Sequence, residues 1–284
     1  MKRFKNQKIP SVLQEAKNEI AIFPLALLII LMNGCTSPQD PFSYKEEYVV
    51  SCMLYVNEGI DTLKLRRTLP VDQTYDDQKA GINNARVKIS DEFGDETQLT
   101  AIDNPIGCYV DRTGFQIHPH TRYFLTINLS NGKQIAGDTV TPDTFSVSAP
   151  QNRTIKYLQD TNTVRWTKAK GASAYVVIVT NLEQNKTKID RGNEIISDNQ
   201  YFSKDAATIW TFTLERSTSL YSWLYNYYGV HRVAVVAVDT VTYDYLWTMY
   251  QDKMQLNEPS YHLNNAVGYF GSGSRRSFNY EVRQ

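Results

Sequence analysis

The sequence predicts a mainly β protein: two tandem β-sandwich domains with a short C-terminal helix. Three observations predict it. Strand-length runs of apolar residues, alternating or continuous, recur from Tyr48 to Asp239. Polar segments carrying Gly, Asn, Asp and Pro separate them at the density of a sandwich. A helical period shows once, where Tyr245, Leu246, Met249, Tyr250, Lys253 and Met254 share a face before Asn257-Glu258-Pro259 ends it. Hydrophobic residues make up 42% of the 284, enough for real cores and too many for a disordered chain. The formal net charge is zero, so no electrostatic footprint for nucleic acid or an anionic membrane surface exists.

The chain opens on a processing signal. Residues 1–34 carry a net charge of +3, leaving −3 on the rest. Ile20 to Met32 is an uncharged run of 13 residues. That suits the ~7–15 of a signal-peptide apolar region and falls short of the ~20 of a spanning helix. Asn33-Gly34-Cys35 follows and resembles a bacterial lipobox, in which a small residue precedes the lipidated cysteine. We therefore expect a lipoprotein signal peptide at 1–34, lipidation of Cys35, and a polar tether at 35–42 containing Pro38 and Pro41. The alternative is a short uncleaved anchor. One acyl chain anchors only marginally, but several anchor stably. The domains beyond then need no membrane-binding surface of their own.

The first expected sandwich spans 43–148. Tyr48–Val56 is a strand-length run and Asp61–Leu65 alternates; the polar stretch 72–84 is a loop. Ala85–Ile89 alternates again and turns near Gly94. Arg122–Leu129 sets Tyr123, Leu125, Ile127 and Leu129 on one face and runs into Asn131-Gly132, a strong hairpin signal, with a return strand from Lys133 to Val140. The second unit, 149–284, opens with Asn162–Trp166 and Ala174–Thr180. A Trp on the second strand, a Gly-Ala loop and a Tyr opening the third strand resemble fibronectin type III domains. Trp166 and Tyr175 are expected in the core. Thr208–Leu214 and the buried-looking Val230–Asp239 add strands. Gly271-Ser272-Gly273-Ser274 is expected as a flexible turn, with an anion cradle completed by Arg275-Arg276 as the alternative, followed by a strand from Ser277 to Val282.

Taken together, the lipobox, Ala85-Arg86-Val87, Gly107-Cys108-Tyr109, the Tyr123–Ile127 strand, Thr141-Pro142, Ala237-Val238-Asp239 with Tyr243-Asp244-Tyr245, and Val267–Ser272 resemble a family of uncharacterised Bacteroidota lipoproteins built on a domain of unknown function with Ig-like or fibronectin type III-like domains. The resemblance spans most of 35–284. It implies an outer-membrane lipoprotein of the cell envelope with no assigned activity. Some members lie near TonB-dependent receptors, which implies nutrient uptake or surface assembly. Surface export in that group often follows an acidic run behind the cysteine, and here only Asp40 stands there; the periplasmic and surface leaflets both stay open. Asp138-Thr139-Val140 and Asp239-Thr240-Val241 resemble O-glycosylation tripeptides of the same group, a pattern common by chance.

Catalytic signatures are sparse. His118 and His120 are separated by Pro119 with no third ligand nearby, so no metal is expected. No P-loop, His-Glu-x-x-His or Gly-x-Ser-x-Gly occurs, and no catalytic residue or cofactor is expected. With Cys35 lipidated, Cys52 and Cys108 form an even pair in an oxidising compartment; a disulfide is expected, with two buried free thiols as the alternative. Trp223, Tyr225, Tyr227 and Tyr228 crowd six positions, more rings than one strand face can bury, so part of them is expected to contact a partner or a glycan. The expected function is non-enzymatic: binding or assembly at the outer membrane, through a receptor or another protein partner, with glycan binding as the alternative.

Overall fold

A computed structural model describes residues 44–159, 162–190, 206–221, 224–251 and 259–284, without the side chains of 250 and 251. The signal peptide, Cys35 and the tether expected before Tyr44 lie outside them. Residues Glu46–Gln284 form one compact unit.

The strands are β1 (Tyr48–Tyr55), β2 (Leu63–Arg67), β3 (Arg86–Asp91), β4 (Glu96–Ile102), β5 (Cys108–Val110), β6 (Arg122–Asn128) and β7 (Gln134–Val140), then β8 (Val147–Ser148), β9 (Thr154–Lys156), β10 (Asn162–Trp166), β11 (Ala174–Asn181), β12 (Thr208–Thr213), β13 (Ser217–Leu220), β14 (Gly229–Val238), β15 (Leu263–Asn264) and β16 (Val267–Arg283). One turn of helix, α1 (Asp77–Ala80), follows β2, and α2 (Thr240–Gln251) follows β14. No helix among the described residues is long and apolar enough to cross a membrane.

The protein is mainly β, with sandwich-like sheets and a short helix near the C-terminus, as its patterning predicts. Alternation explains β1, β3 and β6, whose inward residues include Val50, Leu54, Val87, Ile89, Tyr123, Leu125 and Ile127. The Asn131-Gly132 turn joins β6 to β7, with Gly132 at φ +82° as a hairpin turn demands. β11 and β14 are buried on both faces where α2 lies over Ala174, Val176, Val236 and Val238, which is why they read as largely continuous apolar runs instead of alternating.

Two cores form. The first gathers β1, β2, β3, β5 and β6 with Leu99 of β4 and Ile135 of β7, and includes Phe270, with Leu263 packed against it. The second lies between β11, β14 and β16 on one side and the three-stranded sheet β13-β10-β8 on the other. Trp166 and Tyr175 are buried there with ring centroids 5.3 Å apart. The expected division between residues 148 and 149 does not coincide with these cores: Phe145 packs in the second and Phe270 in the first, and one sheet runs through both. One path runs β12-β11-β14-β16-β1-β2-β5-β4-β3-β6-β7-β15. β16 carries it: residues 267–273 pair in parallel with β1, and residues 273–282 pair antiparallel with β14.

This corrects the expected flexible turn at Gly271–Ser274, which lies inside β16 and is buried. Small residues are needed there. A Cβ on Gly271 would overlap Thr242 Oγ1 at the start of α2, and one on Gly273 would sit 2.8 Å from the Ala237 carbonyl.

Asp239 caps α2, its Oδ1 accepting the Thr242 N–H at 3.0 Å. That sets the helix phase. Thr242 is buried, and Tyr243 and Leu246 pack on Val176, Val236 and Val238 of the sheet. Rings continue the contact, Phe212 to Tyr243 at 5.6 Å and Tyr243 to Trp247 at 6.0 Å, while Tyr245 meets Tyr269 at 5.0 Å. The expected apolar face is therefore rotated: Met249 is 47% exposed. Lys253 and Met254 lie outside the described residues.

The expected disulfide is also corrected. Cys52 and Cys108 are free and buried. Ser51 pairs with Lys64 of β2, and Lys64 pairs with Cys108 of β5. Cys108 therefore shares the face of Ser51, and Cys52, one residue on, faces the opposite way. The intervening strand puts the two chains roughly 9.6 Å apart, beyond the ~7 Å a bridge can span. Burial pushes the Cys52 thiol up to about 12, aided by the Asp61 charge, so it is unreactive.

Candidate functional site

The crowded aromatics do not make one surface. Tyr225 is fully buried in the second core, stacked on Tyr280 at 6.3 Å and edge-on to His231 at 5.1 Å. This corrects its expected role in partner or glycan contact. Tyr227 bridges to Lys188, and Tyr228 packs edge-on against Tyr157 at 6.2 Å; both are half-buried. Trp223 lies outside the described residues.

The histidines part company. His118 is exposed, while His120 Nε2 lies 3.0 Å from the Asp143 carboxylate. Among the described residues no three potential ligands converge on a metal position. His231 is buried. Its Nδ1 faces the Gly229 carbonyl at 2.9 Å and therefore donates, leaving Nε2 to accept from Asn181 Nδ2 at 3.2 Å. Burial is the main cause that pushes its pKa down to about 4.

Segments singled out in the sequence converge elsewhere. Asp239 Oδ2 accepts from the Thr139 hydroxyl at 2.6 Å, and Oδ1 accepts from the Ser272 N–H at 3.1 Å. The Thr139 and Ser272 hydroxyls lie 2.8 Å apart, and all three residues are buried. The Asp-Thr-Val tripeptides thus differ. Thr139 is inside this network, whereas Thr240 is exposed at the start of α2. The network is structural: it ties β7 to the β14–α2 junction and to β16.

The open concave surface lies on the outer face of β11, β14 and β16. Pairing sets three rows across these strands. Val176, Val236 and Arg275 form one row; Ile178, Ala234 and Ser277 the next; Thr180, Arg232 and Asn279 the third. α2 covers the sheet at the first row and stops short of the others. Because Ala234 and Ser277 of the middle row are small and lie between two arginine-bearing rows, a hollow of about 320 Å³ opens, lined by Glu58, Ile178, Thr180, Arg232, Ala234, Arg275 and Ser277.

Its two cations are held differently. Arg275 makes a two-point ion pair with Glu58, Nε to Oε1 at 3.2 Å and Nη2 to Oε2, and lies 4.3 Å over the Tyr55 ring. Arg232 is exposed and has no hydrogen-bond or ion-pair partner among the described residues. Trp210 pairs with Ile178 and extends the middle row on β12. The hollow thus has a mainly polar lining, with Ile178 and Ala234 as its apolar residues, one fixed ion pair and one uncommitted guanidinium. Arg275 stands out in the sequence behind the Gly-Ser run; Arg232 does not, and its interruption of an apolar strand is the signal that could have found it.

A family model described as a domain of unknown function, DUF4249, matches residues 38–279. No curated protein matches the chain. Among solved structures, the chain is similar to the FN1–FN3 domains of chicken CNTN1, at 15% identity and a TM-score of 0.22, over 84% of this chain and 67% of that one.

Proposed function

The chain belongs to the DUF4249 family, and from that premise we propose that it is a lipid-anchored protein of the cell envelope that binds or assembles and does not catalyse. The observation that carries the reading is the uncharged run Ile20–Met32 ending in Gly34-Cys35, behind a basic stretch. Lipid on Cys35 would hold the body at the outer membrane through the tether 35–42 and leave its surfaces free for recognition. The resemblance to lipoproteins that lie beside TonB-dependent receptors makes such a receptor the partner class we propose. Support for binding over chemistry comes from the hollow: both Glu58 oxygens are engaged by Arg275, so no carboxylate there is poised as a base.

Metabolic labelling with a fatty acid tests the anchor. Wild-type chain takes up label, and Cys35→Ala takes up none and accumulates as a longer precursor. Equal labelling of the mutant refutes the anchor.

A further inference from the structure

We infer that the hollow on the outer face of β11, β14 and β16 is a binding site for a small ligand with a single carboxylate and a compact body. The inference stands on this geometry and is independent of the anchor.

Size selects the ligand class. About 320 Å³ lies at the lower end of the range for small-molecule sites. A folded partner would need a broad face, whereas this is a depression one middle row wide. The flanking rows are four residues apart along the strands, roughly 13 Å at ~3.3 Å per residue. The small side chains of Ala234 and Ser277 set its depth.

Charge selects the head group. Arg232 is a planar donor fork, and carboxylate geometry matches it with two parallel N–H···O bonds. Arg275 cannot do the same without giving up Glu58 and its seat over Tyr55. Glu58 on the opposite wall leaves the hollow with one net positive charge among its lining residues. A dianion would meet that carboxylate, and a cation would meet Arg232. A monoanion meets neither penalty. Ser277 and Thr180 place hydroxyls along the wall; Thr180 Oγ1 already accepts from Thr208 at 3.1 Å, which leaves its own proton to donate.

The apolar part of the lining is small and lies in the middle row. Ile178 and Ala234 sit side by side in the middle row, and Trp210 stands at its β12 end. Removing such surface from water is the non-directional part of affinity, while the arginine fixes orientation.

The test uses the full chain in a non-ionic detergent, with 3-phenylpropionate as probe and 3-phenylpropanol and 3-phenylpropylamine as controls of the same body. Titration calorimetry against empty micelles reads the binding. The expected result is saturable binding of the carboxylate at one site per chain, with neither control binding at the same concentrations. Arg232→Gln, an exposed change that leaves the melting temperature intact, weakens the carboxylate ~10-fold or more, as loss of a charge-assisted pair does. Ala234→Leu fills the floor and abolishes binding, while Arg232→Lys retains part of it. No saturable binding of the carboxylate by wild-type chain overturns the inference. So does equal binding of the alcohol or the amine, or carboxylate binding that Arg232→Gln leaves unchanged. Because Cys35 labelling is read separately, the anchor and the site fail independently.

Discussion

His231 shows what a single buried side chain imposes on the protein. Neutral in the fold, it gives its Nδ1 proton to Gly229 and accepts from Asn181. Its pKa of about 4 lies below the ~6.5 of an unfolded chain. As pH falls, the unfolded state takes up a proton first. Stability from the neutral ring is therefore whole above pH ~6.5 and is lost as pH drops toward 4, about 3 kcal/mol in all. We expect the unfolding free energy from urea titrations to fall over that window, and His231→Gln to flatten the slope by about that amount. An unchanged slope in the variant would assign the pH dependence to other groups. The candidate residues were only partly legible at this scale. Alternation sets Tyr123, Leu125 and Ile127 on one face, because period-2 burial is local. It could not place Cys52 relative to Cys108, since their separation depends on β2 lying between them, a matter of strand order. Tyr225 escapes a local reading for a related reason: counting rings on one strand face takes no account of His231 and Tyr280, which receive its ring from β14 and β16.

At the scale of elements, the long strand β16 was the hardest to foresee. Its Gly-Ser repeat has the composition of a turn, yet it runs through the middle of the sheet because β1, β14 and α2 all press against it. Gly271 is the point of closest approach. Gly271→Ala would drive a methyl group into Thr242 Oγ1, and we expect a loss of ~1–3 kcal/mol, typical of overpacking. Adding Thr242→Ala should recover part of it by removing the obstructing oxygen. A melting temperature untouched by the glycine change would contradict this packing. By contrast, β11, β14 and the β6–β7 hairpin were plain in the sequence, where a continuous apolar run or an Asn-Gly pair carries its own local cause. The helix was legible as a helix but not in phase, because its orientation follows from the Asp239 cap and from Gly271 beneath Thr242.

For the whole molecule, the question is why two cores behave as one body. β16 completes the sheet of the first core and then of the second, and Asp239, Thr139 and Ser272 lock the joint beneath α2. Sequence could flag Thr139, Asp239 and Ser272 only as separate segments, since 100 residues separate the first two. Thr139→Ala and Asp239→Ala should each destabilise the fold, and their double mutant should cost less than the sum by ~0.5–3 kcal/mol, as residues sharing a buried hydrogen bond do. Strict additivity in denaturant melts would remove the network from the account. This compact unit carries a hollow with an uncommitted arginine, and the sequence ahead of it carries the candidate lipid anchor. The anchor is the central functional claim, and mass spectrometry of the chain purified from membranes tests it most directly. We predict an N-terminal peptide beginning at Cys35 and carrying the added mass of its acyl chains; a peptide that runs intact through Gly34-Cys35 with an unmodified cysteine would contradict it.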